Sequence, residues 1–290
     1  MSAQAVLFDA PGPRTRRRHL IYSVLGAFFV FGVLAWVLWV LWERGQITPN
    51  RWAPIFTAEA WTQYFLPGIQ ATLVAAAISI VLAFILGLIL AMGRMSDFAL
   101  ARWVCTVFIE FFRAVPVPIM MLFVFFAMVY TMALRGGIPP FVGVVVGLVC
   151  YNGAVIAEVI RNGVASLPAG QREAGLSIGL DSYQVRSMIL VPQALTAMMP
   201  TLVSQVVVIL KDTALGYIIL YPELLNSVRQ MGSRFGNMTV TFIVGAFLFI
   251  VINYAVTKLA EWLEQRLQRR KRTAAPIKEE DRIHIEAAAS

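Results

Sequence analysis

The sequence is poor in charged side chains. Of its 290 residues only 14% are charged, whereas 59% are hydrophobic. A soluble domain usually has about 25% charged and about 45–50% apolar residues. So few charges cannot cover a globule of this size, which excludes a water-soluble enzyme. Several apolar runs reach the roughly 20 residues that a helix needs to cross a bilayer. The composition therefore predicts an all-α membrane protein with several crossings.

Residues with reactive side chains are also scarce. The two cysteines, Cys105 and Cys150, lie in apolar surroundings, and the two histidines, His19 and His284, lie near opposite ends of the chain. No disulfide framework, metal site or Ser/His/Asp set can be assembled from them. The phosphate-binding pattern G-x-x-x-x-G-K-[ST] does not occur either. We therefore expect the chain itself to be no enzyme and to hold no metal and no cofactor.

The positive net charge of +8 reflects membrane topology rather than nucleic-acid binding. The 24 lysines and arginines lie at the chain ends and in short connections between apolar runs. Positive charge keeps such segments in the cytoplasm. The basic segment 1–19 and the basic start of the tail 266–290 thus predict that both termini are cytoplasmic. The rest of the tail has the composition of a disordered segment.

Six apolar segments have the length of membrane-spanning helices. They cover roughly 20–42, 68–92, 106–133, 138–158, 194–220 and 239–260. With the termini inside, loops 93–105 and 159–193 face the cytoplasm, and 43–67, 134–138 and 221–238 face out. The outer stretch 57–67 carries aromatic residues at helical spacing, which fits either an interfacial helix or a loop packed against the bundle.

The loop 159–193 is long for a connection between helices, which usually takes 2–8 residues, and it is patterned. Pro168 can open a short helix and Gly179 can end it. Asp181 and Gln184 have the spacing of a capping box for a second helix, which Pro192 is expected to stop. The pattern predicts two short helices with a glycine turn, forming a knob that suits docking to a partner.

The same loop resembles the EAA loop of ABC importer permeases. The family pattern is EAA, three residues, G, nine residues and I-x-L-P. Glycine replaces the second alanine here, and valine replaces leucine before the proline. The matching residues, together with a G-Q-x-E-A stretch, are Gly170, Gln171, Glu173, Ala174, Gly175, Gly179, Ile189 and Pro192.

Three further stretches resemble permeases for polar amino acids. They begin at Glu110 (E-x-F-R-x-x-P), Ala157 (A-E-x-x-R-x-G) and Lys211 (K-D-T-S-L, with alanine for serine). The resemblance covers about 60–265, so the helix 20–42 is an addition that only some members carry. The opening 6–13 resembles actinobacterial glutamate-importer permeases in particular.

The resemblance implies a type I ABC importer permease fold in the bacterial cytoplasmic membrane. Such a chain moves a polar amino acid, here glutamate, by alternating access. It works with a second permease subunit (a paralogue), an extracytoplasmic binding protein and a dimer of ATPase subunits. ATP and Mg would lie on the ATPase, which would dock on loop 159–193. The alternative from another class is an ATP-independent channel or secondary transporter, which leaves the patterned loop unexplained.

Ionisable groups within apolar segments are costly and are candidates for function. Glu110 and Arg113, and likewise Glu158 and Arg161, are three residues apart and can pair on a helix. Both a structural role and a role in gating are open for these pairs. Lys211 and Asp212 lie well inside the fifth segment and point about 100° apart on a helix. At least one of them should face the bundle interior or a polar path, to which Thr213 could add a hydrogen bond.

Overall fold

The computed structural model describes residues 12–131 and 136–272, and these residues form helices and no strand. The expected tail beyond 272, the loop residues 132–135 and the segment 1–11 lie outside this range. We number the helices in chain order and treat uninterrupted runs as one. They are α1 Pro13–Glu43, α2 Ala58–Arg94, α3 Ala99–Ala114, α4 Val117–Thr131, α5 Ile138–Ala165, α6 Ala169–Ser177, α7 182–197, α8 Met199–Ile219, α9 Leu224–Phe235 and α10 Met238–Arg272.

Five of these helices, α1, α2, α5, α8 and α10, are long and apolar enough to span a membrane, and the pair α3–α4 makes a sixth if counted as one span. The prediction of about six crossings is therefore confirmed. The observed helices extend beyond the predicted segments at several ends. In particular, α5 continues to Ala165, so the loop expected to begin at 159 begins at 166.

The third predicted segment, 106–133, is not one straight helix. The chain turns by 103° between α3 and α4. Val115 is extended (φ −83°, ψ 127°), as expected for a residue before proline, and Pro116 has no N–H to continue the ladder. The chain therefore bends at Pro116, sharply enough to change its direction.

The core of the bundle lies around α5, which is packed between α2 and α4. Small residues permit the close approach: a Cβ on Gly87 of α2 would lie 2.6 Å from the Ile156 side chain, and one on Gly147 would lie 2.8 Å from Met121 of α4. The Gly143-x-x-x-Gly147 spacing therefore marks a real helix contact. By contrast, the apolar window of α1 has no residue buried in this chain.

The two ends of the bundle differ in structure. One end, which we call the knob end, carries the 95–98 turn and the segment 166–198. The other end, which we call the far end, carries 44–57 and α9. The stretch 57–67 is neither an interfacial helix nor a loop, since residues from Ala58 onward continue into α2 and Phe65 is fully buried. The sequence did not predict α9, an amphipathic helix in what was expected to be the loop 221–238.

Candidate functional site: the knob and the charged groups of the membrane part

The segment 169–197, which we call the knob, consists of α6 and α7. Pro168 is the N-cap of α6, and Gly179 ends it with φ +88°. The Gly179 N–H donates to Leu176 O at 3.0 Å and the Leu180 N–H donates to Gly175 O at 3.2 Å, which is a Schellman motif. The Asp181 capping box with Gln184 is present at the start of α7. The expected pair of short helices with a glycine turn is confirmed.

Pro192 does not end the second helix, which corrects the prediction made from its position. The helix widens to a π-turn over Val185–Leu190 and continues through Val191–Ala197. A proline clashes with the carbonyl four residues before it, and the wider turn relieves that clash. The same arrangement occurs at Trp61–Phe65 before Pro67. The knob therefore runs without interruption to the break at Met198, where α8 begins.

The helices α6 and α7 pack against each other through Gly175. A Cβ at this position would lie 2.9 Å from Val185 Cγ2 and 3.0 Å from Ile189 Cδ1. Glycine in place of the usual second alanine thus allows a closer contact. Gln193 Nε2 also donates to Gln171 Oε1 at 3.1 Å. The knob consequently holds together as one unit.

The remaining motif residues of the knob face outward. Gly170, Gln171, Glu173, Ala174 and Pro192 are exposed, and Ile189 is half-buried. Apolar side chains lie exposed beside them, with Ile178 at 76%, Met188 at 67% and Tyr183 at 63% exposure. An exposed carboxylate among exposed apolar side chains is a surface suited to a protein partner.

A network of five charged side chains ties three helices together at the knob end. Arg94, in the last turn of α2, donates to Glu158 of α5 at 2.8 Å and to Glu110 of α3 at 2.9 Å. The predicted Glu158–Arg161 pair is present at 2.6 Å. The predicted Glu110–Arg113 pair is looser, at 3.9 Å, because Glu110 bonds mainly to Arg94.

A second ion pair joins the knob to the turn between α2 and α3. Arg186 of α7 donates to both carboxylate oxygens of Asp97, at 3.1 and 2.8 Å. This hydrogen-bonded guanidinium lowers the pKa of the Asp97 carboxyl below its usual range, and the nearby Arg172 and Arg102 act in the same direction. The Asp97 carboxyl group is therefore ionised at neutral pH.

Lys211 and Asp212 point to different sides of α8, as their 100° separation predicts. Asp212 is half-buried and lines a cavity with Arg113 and Tyr151. Lys211 is exposed and makes no ion pair within the described residues. Thr213 is fully buried and its hydroxyl donates to Leu210 O at 2.7 Å. Its hydrogen bond therefore stays within its own helix.

The Lys211 side chain lies on a groove of about 500 Å³ between α8 and α10. Polar groups accompany it there, among them Ser204, Thr257 and the carboxylates of Glu261 and Glu264. Towards the far end, Lys211 also borders an apolar cavity lined by Leu225, Val228 and Phe249.

Sequence reasoning missed Arg94, Asp97 and Arg186 as members of these networks. Arg94 and Asp97 follow the end of an apolar segment and Arg186 lies inside the loop 159–193, so a charged residue in a predicted connection is the only signal that the sequence offers. Their partners lie 16, 64 and 89 residues away along the chain. A single sequence contains nothing that pairs such distant positions.

Comparison with known proteins gives one family. Residues 83–269 match the model of the "binding-protein-dependent transport system inner membrane component". The glutamate transport system permease protein GluD of Corynebacterium glutamicum is 43% identical over 81% of this chain and 88% of its own length. The glutamate/aspartate import permease protein GltK of Escherichia coli is 27% identical over 70% of this chain and 93% of its own.

A solved structure agrees with these relatives. The crystal structure of an amino acid ABC transporter with histidines has a TM-score of 0.63 at 25% identity, covering 71% of this chain and 95% of that one. The matched family spans most of the described bundle, from within α2 to within α10. The chain therefore belongs to the binding-protein-dependent transport system inner membrane components, and it is a multi-pass permease of an ABC importer in the cytoplasmic membrane.

Proposed function

We propose that this chain is one of two membrane-spanning subunits of an ATP-driven importer for an acidic amino acid, with glutamate as the substrate. A separate ATPase dimer, holding ATP and Mg, drives alternating access, and an extracytoplasmic binding protein delivers the amino acid. A paralogous permease completes the path. The names of the relatives support the substrate, since one belongs to a glutamate transport system and another to glutamate/aspartate import.

The observation that carries the proposal is the knob in a chain of this family. It is a self-packed pair of helices that presents Glu173 and several apolar side chains to solvent. The ATPase is proposed to bind this surface, with Glu173 at the contact. Closure of the ATPase dimer would then move the knob and, with it, the helices α5 and α8 that the knob connects.

The path is proposed to run along the groove between α8 and α10. An acidic amino acid carries one net negative charge. Lys211 makes no ion pair within the described residues and offers a positive charge in a groove that Glu261 and Glu264 also line. A lone cation far inside a membrane is costly, so this position favours a role in transport over a role in stability. The side chains Glu110, Arg113, Glu158 and Arg161 lie at the knob end, where a gate would close the path.

The experiment that tests the proposal is purification of the chain from its native membrane, with mass-spectrometric identification of its partners. An ATPase with a Walker motif and a second permease should accompany it. The complex is reconstituted in liposomes with the binding protein outside. Uptake of labelled glutamate should then require ATP in the lumen, on the same side as the ATPase. Isolation of the chain alone, with solute flux that needs no ATP, would establish the channel or secondary-transporter alternative instead.

Reversing the charge of Glu173 tests the docking surface. We expect Glu173→Lys to lower the recovery of ATPase with the permease about tenfold or more, because a like or unpaired charge at a contact costs one to several kcal/mol. Membrane insertion should be unaffected, since Glu173 is exposed. Glu43→Lys, the same reversal at another exposed position, is the control. Unchanged ATPase recovery and uptake with Glu173→Lys would show that the knob is not the docking site.

A further inference from the structure

The ion pair between Asp97 and Arg186 has an unusual combination of exposure and geometry. Both guanidinium Nη atoms donate to the two carboxylate oxygens, a bidentate arrangement that fixes orientation as well as distance. The Arg186 side chain is 15% exposed, whereas that of Asp97 is 68% exposed. An ion pair with one exposed partner contributes little to stability. Its effect is therefore on the relative position of the two segments that it joins.

The first of these segments is the turn between α2 and α3. Asp97 lies three residues after Arg94, which holds α5 through Glu158 and α3 through Glu110. Movement of this turn is therefore transmitted to α2, α3 and α5. The turn itself is remote in sequence from the knob, so no covalent connection carries movement directly between them.

The second segment is the knob. Arg186 lies in the π-turn of α7, next to Val185, which packs against Gly175 of α6. The α6 helix carries Glu173 on its exposed side. A push on α6 therefore reaches the turn of α7 that holds Arg186 through the close contact between the Gly175 backbone and the Val185 side chain.

We propose that Asp97 and Arg186 are a positioning pair that transmits the movement of the knob to α2 and α3. This inference rests on the proposed function, because it needs an ATPase that moves the knob. The covalent chain already joins the knob to α5 and α8 at its two ends. The ion pair adds a third connection. Through it, α2 and α3 would move together with α5 and α8 when the knob moves.

The test uses the whole importer reconstituted in liposomes, with uptake and ATP hydrolysis measured on the same sample. Asp97→Asn, Asp97→Arg and Arg186→Asp should each lower the amount of amino acid moved per ATP by about fivefold or more, the size typical of a coupling between sites. Recovery of ATPase with the permease should stay at the wild-type level. Asp97→Glu, which keeps the charge, should retain most of the transport per ATP.

The decisive variant exchanges the two charges. Asp97→Arg combined with Arg186→Asp should recover at least half of the wild-type transport per ATP, because it restores an ion pair in the same place. The proposal would be overturned if transport per ATP in the double variant fell by the combined losses of the two single variants. Normal transport per ATP in Asp97→Asn would also overturn it. Loss of ATPase recovery in the single variants would also overturn it, since the residues would then be part of the docking surface.

The outcomes separate this inference from the proposed function. If the wild-type complex itself lacks ATP-dependent uptake, the proposed function is wrong. If the wild type is active and the Asp97 variants match it, only the positioning role is wrong. Asp97 is largely exposed, so its variants remain informative even if Arg186→Asp reduces the yield of folded protein, which size-exclusion chromatography would reveal.

Discussion

At the scale of the residue, Glu223 shows how a buried carboxyl group serves as a helix cap. Its side chain is fully buried at the far end and accepts hydrogen bonds from the N–H groups of Leu225 at 2.6 Å and Asn226 at 2.7 Å. Burial raises the pKa of Glu223 to about 7, although the two backbone bonds act against the rise. The neighbouring Tyr221 has a pKa raised to about 12 by burial and by Glu223, so it does not titrate near neutrality.

The raised pKa of Glu223 predicts that the protein becomes less stable as the pH rises. In the folded state the group still holds its proton at pH values between 4.5 and about 7, where the unfolded chain has lost it. Unfolding then releases a proton, so this contribution is complete below pH 4.5 and is lost as the pH passes about 7. We expect the melting temperature in detergent to fall by about 5 °C between pH 5 and pH 8.

The variant Glu223→Gln should remove most of this pH dependence, because an amide keeps an acceptor for Asn226 and carries no titrating proton. Glu59→Gln, a change of a less buried carboxylate at the same end, is the matched control and should keep the wild-type slope. Nanoscale fluorimetry at five pH values is sufficient. An equal slope in Glu223→Gln and the wild type would assign the pH dependence to other groups.

At the scale of the element, the Arg94 network predicts a difference between two arginines that look alike in the sequence. Arg94 is 18% exposed and bonds to two carboxylates on two other helices, whereas Arg113 is 39% exposed and lies 3.9 Å from one. Loss of Arg94 leaves Glu158, itself 16% exposed, with one partner fewer, and a buried charge that loses a partner is costly.

We therefore expect Arg94→Gln to lower the melting temperature of the purified permease by about 5 °C or more, and Arg113→Gln to lower it by about 2 °C or less. Both changes remove one positive charge, so the comparison isolates burial and the number of partners. Similar losses in the two variants would mean that α2 is held at the knob end by packing alone.

The elements themselves were largely predictable from the sequence, and the exceptions have physical causes. Hydrophobic length located the spans, and the residue types at Gly179, Asp181 and Gln184 located the knob helices because turns and caps depend on local chemistry. The prediction that Pro192 ends the second knob helix was wrong because a π-turn lets a helix continue past a proline, and a π-turn has no sequence signature of its own. The helix α9 was missed because it is short and only one face is apolar, so it does not stand out beside the spans.

The candidate site was predictable only where it depends on residues close in sequence. Glu158 and Arg161 pair as their spacing indicates, and Lys211 and Asp212 diverge as helix geometry requires. The connections made by Arg94, Asp97 and Arg186 follow from how distant segments fold together. Their formation is a property of the tertiary structure, which one sequence does not encode in any local pattern.

At the scale of the whole molecule, polarity divides the exposed surface of the membrane part. The window of α1 is apolar and lies entirely at the surface of this chain, as expected for contact with lipid. The exposed faces of α8 and α10 instead carry Lys211, Ser204 and Glu261. Polar side chains at membrane depth avoid lipid and face protein or a water-filled cavity. On the proposed function, the groove between α8 and α10 is the side that would face the second permease and the path.

This placement predicts that Lys211 selects for charge in the substrate. Lys211→Gln should lower ATP-dependent glutamate uptake by liposomes containing the complete importer by about tenfold, because the loss of a favourable charge contact at membrane depth is worth about 1–3 kcal/mol. Lys211→Arg should retain most of the uptake, since it keeps the charge. Arg44→Gln provides the control, because it also removes one exposed positive charge but lies outside the lining of the groove. Glutamate uptake by Lys211→Gln at the wild-type rate would place the path elsewhere, whereas equal losses in Lys211→Gln and Lys211→Arg would show that shape, and not charge, matters at this position.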